Sequence, residues 1–154
     1  MVAEYATVFG MEVYYYDIEK QNTSSDYINC NSAEELCSRV DVLSIHLPYN
    51  AHTHFIINKD VLKLMKSSII IVNTARGGVV NENDLLEYLR NSKISGYATD
   101  VLYGEPNIKN HPLIDYATQH DNLIVTPHIA GNTFESIEKT ENFIANKLYD
   151  LIMK

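Results

Sequence analysis

The sequence predicts one α/β domain built on a parallel sheet, and three observations carry that prediction. Apolar runs of strand length alternate with helix-patterned segments along the whole chain. The clearest run, Ile69 to Val72, is unbroken, β-branched and too short for a helix, which suits a strand buried on both faces beneath helices. Several runs then turn polar, charged or glycine-rich within a residue or two. Open α/β sheets bind ligands at such carboxyl strand ends, and their crossovers are right-handed.

The elements follow in order. Met1 to Phe9 carries Val2, Ala3, Ala6 and Phe9 at helical spacing, with Gly10 as its stop. Met11 to Tyr16 reads as a strand with Asp17 at its end, and Asp26 to Asn29 as a short edge strand. Ser32 with Glu35 makes a capping box that opens a helix to about Arg39. Val42 to His46 is the next strand, ending at Leu47 and Pro48. Asn58 caps a helix carrying Val61, Leu62, Leu64 and Met65, and the Ile69 to Val72 strand follows.

Asn81 caps a helix bearing Leu85, Leu86 and Leu89, with Arg90 and Lys93 near the end that favours cations. Gly96 to Val101 is a strand, Gly104-Glu105-Pro106 a turn, and His111 to about Ala117 a short helix. Leu123 to Val125 is a strand that stops at Thr126-Pro127-His128. Asn132 with Glu135 opens the last helix, which sets Ile137, Ile144, Leu148, Leu151 and Ile152 along one face.

Composition removes several classes of function. A chain of 154 residues, 45% hydrophobic, is sized for one domain with a real core. Its net charge of -8 argues against nucleic acid and anionic membrane as partners. No apolar run approaches the roughly 20 residues that span a bilayer, and the start has no basic-then-apolar leader. Cys30 and Cys37 fit no metal pattern and are too few for a disulfide scaffold, so no metal is expected and a reduced, cytoplasmic protein is.

The candidate functional residues stand out by position. Asp17, Arg76, Asp100, Glu105 and His128 all fall at or just beyond predicted strand ends. Arg76 follows Asn73-Thr74-Ala75 and offers a planar fork for a carboxylate or phosphate, with glycine beyond it to let the backbone turn. Each residue also has a purely structural reading. Arg76 could pair with a surface acid, Asp17 could cap a helix, Asp100 could satisfy a buried hydrogen bond, and His128 could be a loop histidine. Taken together, a cation, acids and a histidine on one ligand-binding edge form a catalytic set.

At five blocks the residues resemble the NAD-binding domain of the D-isomer-specific 2-hydroxyacid dehydrogenases, in the manner of phosphoglycerate dehydrogenase-like members. The blocks are Phe9 to Val13 with Tyr16-Asp17, His46-Leu47-Pro48 with Thr53, Asn73 to Gly77, Ala98 to Val101 with Gly104-Glu105-Pro106, and Thr126 to Gly131. The resemblance implies a Rossmann-like, doubly wound parallel sheet and NAD as cofactor. Asp17 would hold the adenine-ribose hydroxyls and disfavour the extra phosphate of NADP. Leu47, Pro48, Thr53, Thr74, Ala75 and Gly131 would line the cofactor cleft, and Asp100 would hold the nicotinamide carboxamide. Arg76 would bind the carboxylate of a small 2-hydroxy or 2-oxo acid. His128 would be the acid–base, with Glu105 as its partner favouring the protonated ring.

One family feature is not found in the sequence. The Gly-x-Gly-x-x-Gly turn that binds pyrophosphate is absent, and Gly77-Gly78 follows the wrong strand to replace it. By alignment, Met1 falls just after the third glycine, and the strand before it would be the middle one of a 3-2-1-4-5-6 sheet. The expectation is a sheet incomplete at its N-terminus, with residues 1–154 a partial NAD-binding domain and the substrate domain absent. Three readings stay open: a dehydrogenase fragment active with its missing pieces, a nucleotide or carboxylate binder without turnover, and an inactive remnant serving as an interaction surface. A second copy or a complementing chain is the expected partner.

Overall fold

A computed structural model describes residues 1–19 and 24–153. In chain order the elements are α1 (Val2–Val8), β1 (Tyr14–Tyr15), β2 (Ile28–Asn29), α2 (Ala33–Arg39), β3 (Val42–Ile45), α3 (Lys59–Leu62), β4 (Ile70–Asn73), a 3-10 turn (Gly77–Val79), α4 (Glu82–Arg90), β5 (Gly96–Thr99), α5 (Pro112–Ala117), β6 (Leu123–Val125) and α6 (Phe134–Ile152). From β2 onward strands alternate with helices as expected, whereas β1 and β2 have no helix between them among the described residues; every ladder there is parallel. The strands form two sheets, β1-β2 and β3-β4-β5-β6. The arrangement is a Rossmann-like doubly wound fold.

The caps follow from side chains that the sequence puts at the helix starts. The Ser32 hydroxyl accepts the Glu35 N–H at 3.1 Å, and Glu35 reaches back to the Asn31 N–H at 2.8 Å. Asn58 caps α3 and Asn81 caps α4 through their side-chain oxygens. At α6 the cap is Thr133, which accepts the Ser136 N–H, rather than Asn132. The β1 strand is shorter than Met11 to Tyr16: its ladder with β2 pairs Tyr14 with Ile28 and Tyr15 with Asn29.

Register then decides which residues meet. Leu43, Ile71, Tyr97 and Leu123 form one row across the sheet, and Ile45, Asn73, Thr99 and Val125 the next. Side chains in these two rows share a face, and it is the buried one, packed with Val61, Leu62, Leu85, Leu89 and Leu113 from α3, α4 and α5. The opposite face is open: Val42, Ile70 and Ile124 are 47%, 45% and 61% exposed. The expectation that the Ile69 to Val72 run is buried on both faces is therefore corrected. Neither α1 nor α6 has a buried residue, and the apolar positions of α6 face solvent.

The level second row also means that the segments after β3, β4, β5 and β6 leave the sheet along one edge. Among the described residues no helix is long and apolar enough to cross a membrane, and no cluster of His, Cys, Asp or Glu could hold a metal ion.

Candidate active site

The segment after β4 is fixed by a buried amide. Asn73 is fully buried; its Nδ2 donates to the Arg76 carbonyl at 3.1 Å and to the Tyr97 hydroxyl at 3.2 Å, and its Oδ1 accepts the Ala75 N–H at 3.0 Å. A short polar side chain bonding its own downstream backbone holds a turn. That turn leaves Thr74 and Arg76 exposed and Ala75 half-buried. The Arg76 guanidinium donates to the Ala75 carbonyl at 2.6 Å and forms no ion pair among the described residues. Gly77 is required by space: a Cβ there would lie 2.1 Å from the Leu102 carbonyl carbon.

After β5 the chain reaches Asp100, which organises the segment after β6. Its Oδ1 accepts the Thr126 hydroxyl and, at 2.9 Å, the Ile129 N–H, while Oδ2 accepts the Ala130 N–H at 2.8 Å. Burial pushes the Asp100 carboxyl up, but these three donors and nearby His128 outweigh it and hold it below its ordinary 3.8. A carboxylate offers about four lone-pair sites, so three of them are already taken by this loop. The loop carries His128 at a φ of 54°, a left-handed conformation costly for a residue with a Cβ.

His128 Nδ1 meets Glu105 Oε2 at 2.6 Å, with the histidine side chain 50% and the glutamate 26% exposed. Glu105 Oε1 accepts the Leu102 N–H at 2.6 Å. An ionised carboxylate can only accept, so Nδ1 carries the hydrogen in this pair. Beside it lies a cavity of about 610 Å³, lined by Leu102, Ile108, Ile114, Val125 and Pro127 together with Glu105 and His128. The size falls in the range of small-molecule pockets.

The remaining predicted positions divide between the two sheets. Leu47, half-buried, and Pro48, exposed, follow β3; the Thr53 hydroxyl donates to the Pro48 carbonyl at 2.6 Å. Gly131 is exposed, and a Cβ added there would meet nothing within 4 Å. Asp17 is exposed after β1, on the other sheet, and its Oδ1 accepts the Glu19 N–H at 3.0 Å. Thus Arg76, Asp100, Glu105 and His128 gather along the edge of β3–β6, and Asp17 does not share that ladder.

Two residues at this edge carry no sequence signal of a site. Glu82, at the start of α4, and His111, the N-cap of α5, make a buried pair at 3.0 Å. Burial raises the Glu82 carboxyl to about 7, opposed by the Tyr103 N–H that it accepts at 2.9 Å. Glu82 reads in sequence as a first-turn acid and His111 as the residue before a helix-opening proline, and neither pattern predicts that they meet.

An open parallel sheet whose candidate residues gather beyond its carboxyl strand ends is the arrangement of a class, the doubly wound α/β domains, which bind ligands at that edge. Within it, the chain belongs to the D-isomer specific 2-hydroxyacid dehydrogenases, whose NAD binding domain matches residues 1–130. It is 37% identical over 142 residues to D-3-phosphoglycerate dehydrogenase of Haemophilus influenzae, covering 92% of this chain and 35% of that protein. It is 39% identical over 141 residues to glyoxylate reductase of Aeropyrum pernix, covering 88% and 40%. Among solved structures, D-lactate dehydrogenase from Aquifex aeolicus, complexed with NAD and lactic acid, superposes with a TM-score of 0.86 at 32% identity, covering 99% of this chain and 49% of that one. The chain therefore spans less than half the length of these relatives.

Proposed function

We propose that this chain supplies the cofactor-holding and proton-transferring unit of an NAD-dependent oxidoreductase that interconverts small D-2-hydroxy acids and 2-oxo acids. The observation that carries the reading is the 2.6 Å contact between His128 Nδ1 and Glu105, on the strand edge that also bears Arg76. With Nδ1 committed to Glu105, Nε2 is the nitrogen that serves the substrate oxygen. In reduction His128 donates a proton from Nε2 to the carbonyl oxygen, and in oxidation it takes the proton back. Glu105 orients the ring and fixes which nitrogen faces the substrate. Arg76 binds the substrate carboxylate as a two-pronged donor and polarises the neighbouring carbonyl.

The residues present fit NAD at its two ends. The exposed carboxylate of Asp17 suits ribose hydroxyls, and the open space over Gly131 lets a ligand lie against bare backbone. Leu47, Pro48, Thr53, Thr74 and Ala75 line the path between. Bound NAD supplies or accepts the hydride. Asp100 already grips the His128 loop with three bonds, so its share in holding the nicotinamide carboxamide falls on one remaining lone-pair site. Residues 1–154 act as the NAD-binding part, and a second copy or a complementing chain helps to enclose the substrate.

A second reading is nucleotide or carboxylate binding without turnover, which the exposed Arg76 guanidinium, in no ion pair among the described residues, would serve. One experiment separates the two. NAD affinity is measured by calorimetry, and NADH oxidation is followed with glyoxylate, pyruvate and a bulkier 2-oxo acid, for the protein and His128→Gln. With the full cleft restored by a second copy or a complementing chain, we expect turnover to fall roughly 10²–10⁴-fold in the variant with NAD affinity nearly unchanged. Binding without turnover on any 2-oxo acid selects the second reading, and turnover that survives His128→Gln rejects the first.

A further inference from the structure

We propose that Glu82 and His111 are a positioning pair that holds the Leu102–Tyr103 peptide, and through it sets Glu105 against His128 and steadies the turn that carries Arg76. The inference rests on the roles given above to Glu105, His128 and Arg76. Glu82 is only 9% exposed, and a carboxylate so deep needs partners for both oxygens. It has them on two different segments. Oε1 accepts the Tyr103 N–H at 2.9 Å, and Oε2 faces His111 Nε2 at 3.0 Å.

The histidine end is fixed as well. His111 Nδ1 accepts the Leu113 N–H at 3.3 Å as the cap of α5, so Nε2 carries the hydrogen and donates to Glu82. The peptide that Glu82 holds is the one that matters to the site. On one flank it touches Gly77, next to Arg76, so closely that no Cβ fits between them. One peptide earlier, the Leu102 N–H donates to Glu105 Oε1 at 2.6 Å, and Glu105 Oε2 meets His128. The contacts thus run from the α5 cap through His111, Glu82 and the Leu102–Tyr103 backbone to Glu105 and His128. An acid placed at α4 only for the helix dipole would act equally well in solvent, without these two partners.

The test uses the isotope-labelled chain and needs no turnover, so its outcome is separate from that of the proposed reaction. Glu82→Gln keeps the volume but sets an NH2 group against either the Tyr103 N–H or the His111 Nε2–H. His111→Asn keeps a cap oxygen for Leu113 and loses the reach to Glu82. Asp84→Ala is the control: it removes the acceptor of the Lys59 N–H at the same helix start and bonds nothing in the 102–105 segment. In both pair variants amide exchange at Leu102 and Tyr103 speeds up by roughly tenfold or more, and the His128 Nδ1 nitrogen resonance moves. In Asp84→Ala neither changes, whatever happens to its melting temperature. Wild-type exchange and an unmoved His128 resonance in a folded pair variant overturn the proposal, as does an equal response in Asp84→Ala. Should Glu82→Gln fail to fold, His111→Asn decides.

Discussion

Replacing Asp100 with Asn tests how the His128 loop is held. The side chain keeps its shape, but one oxygen becomes an NH2 group. If the amide nitrogen takes the Oδ2 position it faces the Ala130 N–H, and at Oδ1 it faces the Ile129 N–H. Either way one backbone donor loses its acceptor and the remaining bonds lose their charge. The net loss is about 2 kcal/mol, within the range for orphaning a buried donor. For a chain of this length that corresponds to a drop of about 4–8 °C in melting temperature.

The pH dependence has a fixed sign. Burial raises the Asp100 carboxyl, the Thr126, Ala130 and Ile129 donors lower it further, and the net folded value lies below the ordinary 3.8. A depressed carboxyl stabilises the fold above its unfolded value and loses that contribution as pH falls through the folded one. The melting gap between the protein and Asp100→Asn should therefore be full at pH 7 and narrow below about pH 4, near the ordinary carboxylate value. Equal melting temperatures at pH 7, or a gap that persists undiminished in acid, would refute the reasoning.

Two further outcomes are expected. Arg76→Lys keeps the charge but not the fork, so kcat/KM toward 2-oxo acids should fall roughly tenfold or more, beyond any loss on carbonyl compounds lacking a carboxylate; equal losses on both would mark Arg76 as structural. Gly77→Ala drives a Cβ to 2.1 Å from the Leu102 carbonyl carbon, so its urea midpoint should report a destabilisation of about 3 kcal/mol, and a wild-type midpoint would contradict the close approach.

What sequence alone could reveal follows the range of each interaction. The caps at Ser32, Asn58 and Asn81 were legible because donor and acceptor lie within three residues. The last cap moved by one residue because Asn132 and Thr133 are both good cap types, and pattern alone does not choose between them. The open sheet face was not legible: a run such as Ile69 to Val72 is apolar on both sides whether or not a helix covers each. At the site, Arg76, Glu105 and His128 were marked by position and family resemblance. Glu82 was not, because its partners, the Tyr103 backbone and His111, lie far along the chain and a backbone N–H leaves no trace in residue types.

The division into two sheets has a mechanical consequence. Asp17 follows β1, whereas Arg76, Asp100 and His128 follow β4, β5 and β6, and α2, whose Cys37 enters the larger core, joins β2 to β3. Proteins open locally in contiguous cooperative units that often coincide with supersecondary motifs such as these. A dinucleotide touching Asp17 at one end and Gly131 at the other would act as a brace across that joint. Its binding free energy would then appear as coupling, raising the opening free energy of the smaller sheet by up to RT ln(1 + [L]/Kd). Amide exchange at Cys30, whose N–H bonds the Tyr15 carbonyl at 2.8 Å, reads this directly. Without NAD it should exchange ahead of Tyr97, and with NAD the two should converge; exchange at Cys30 indifferent to saturating NAD would mean that the joint is not braced. On this view the number of units in which the domain unfolds is set by its ligand.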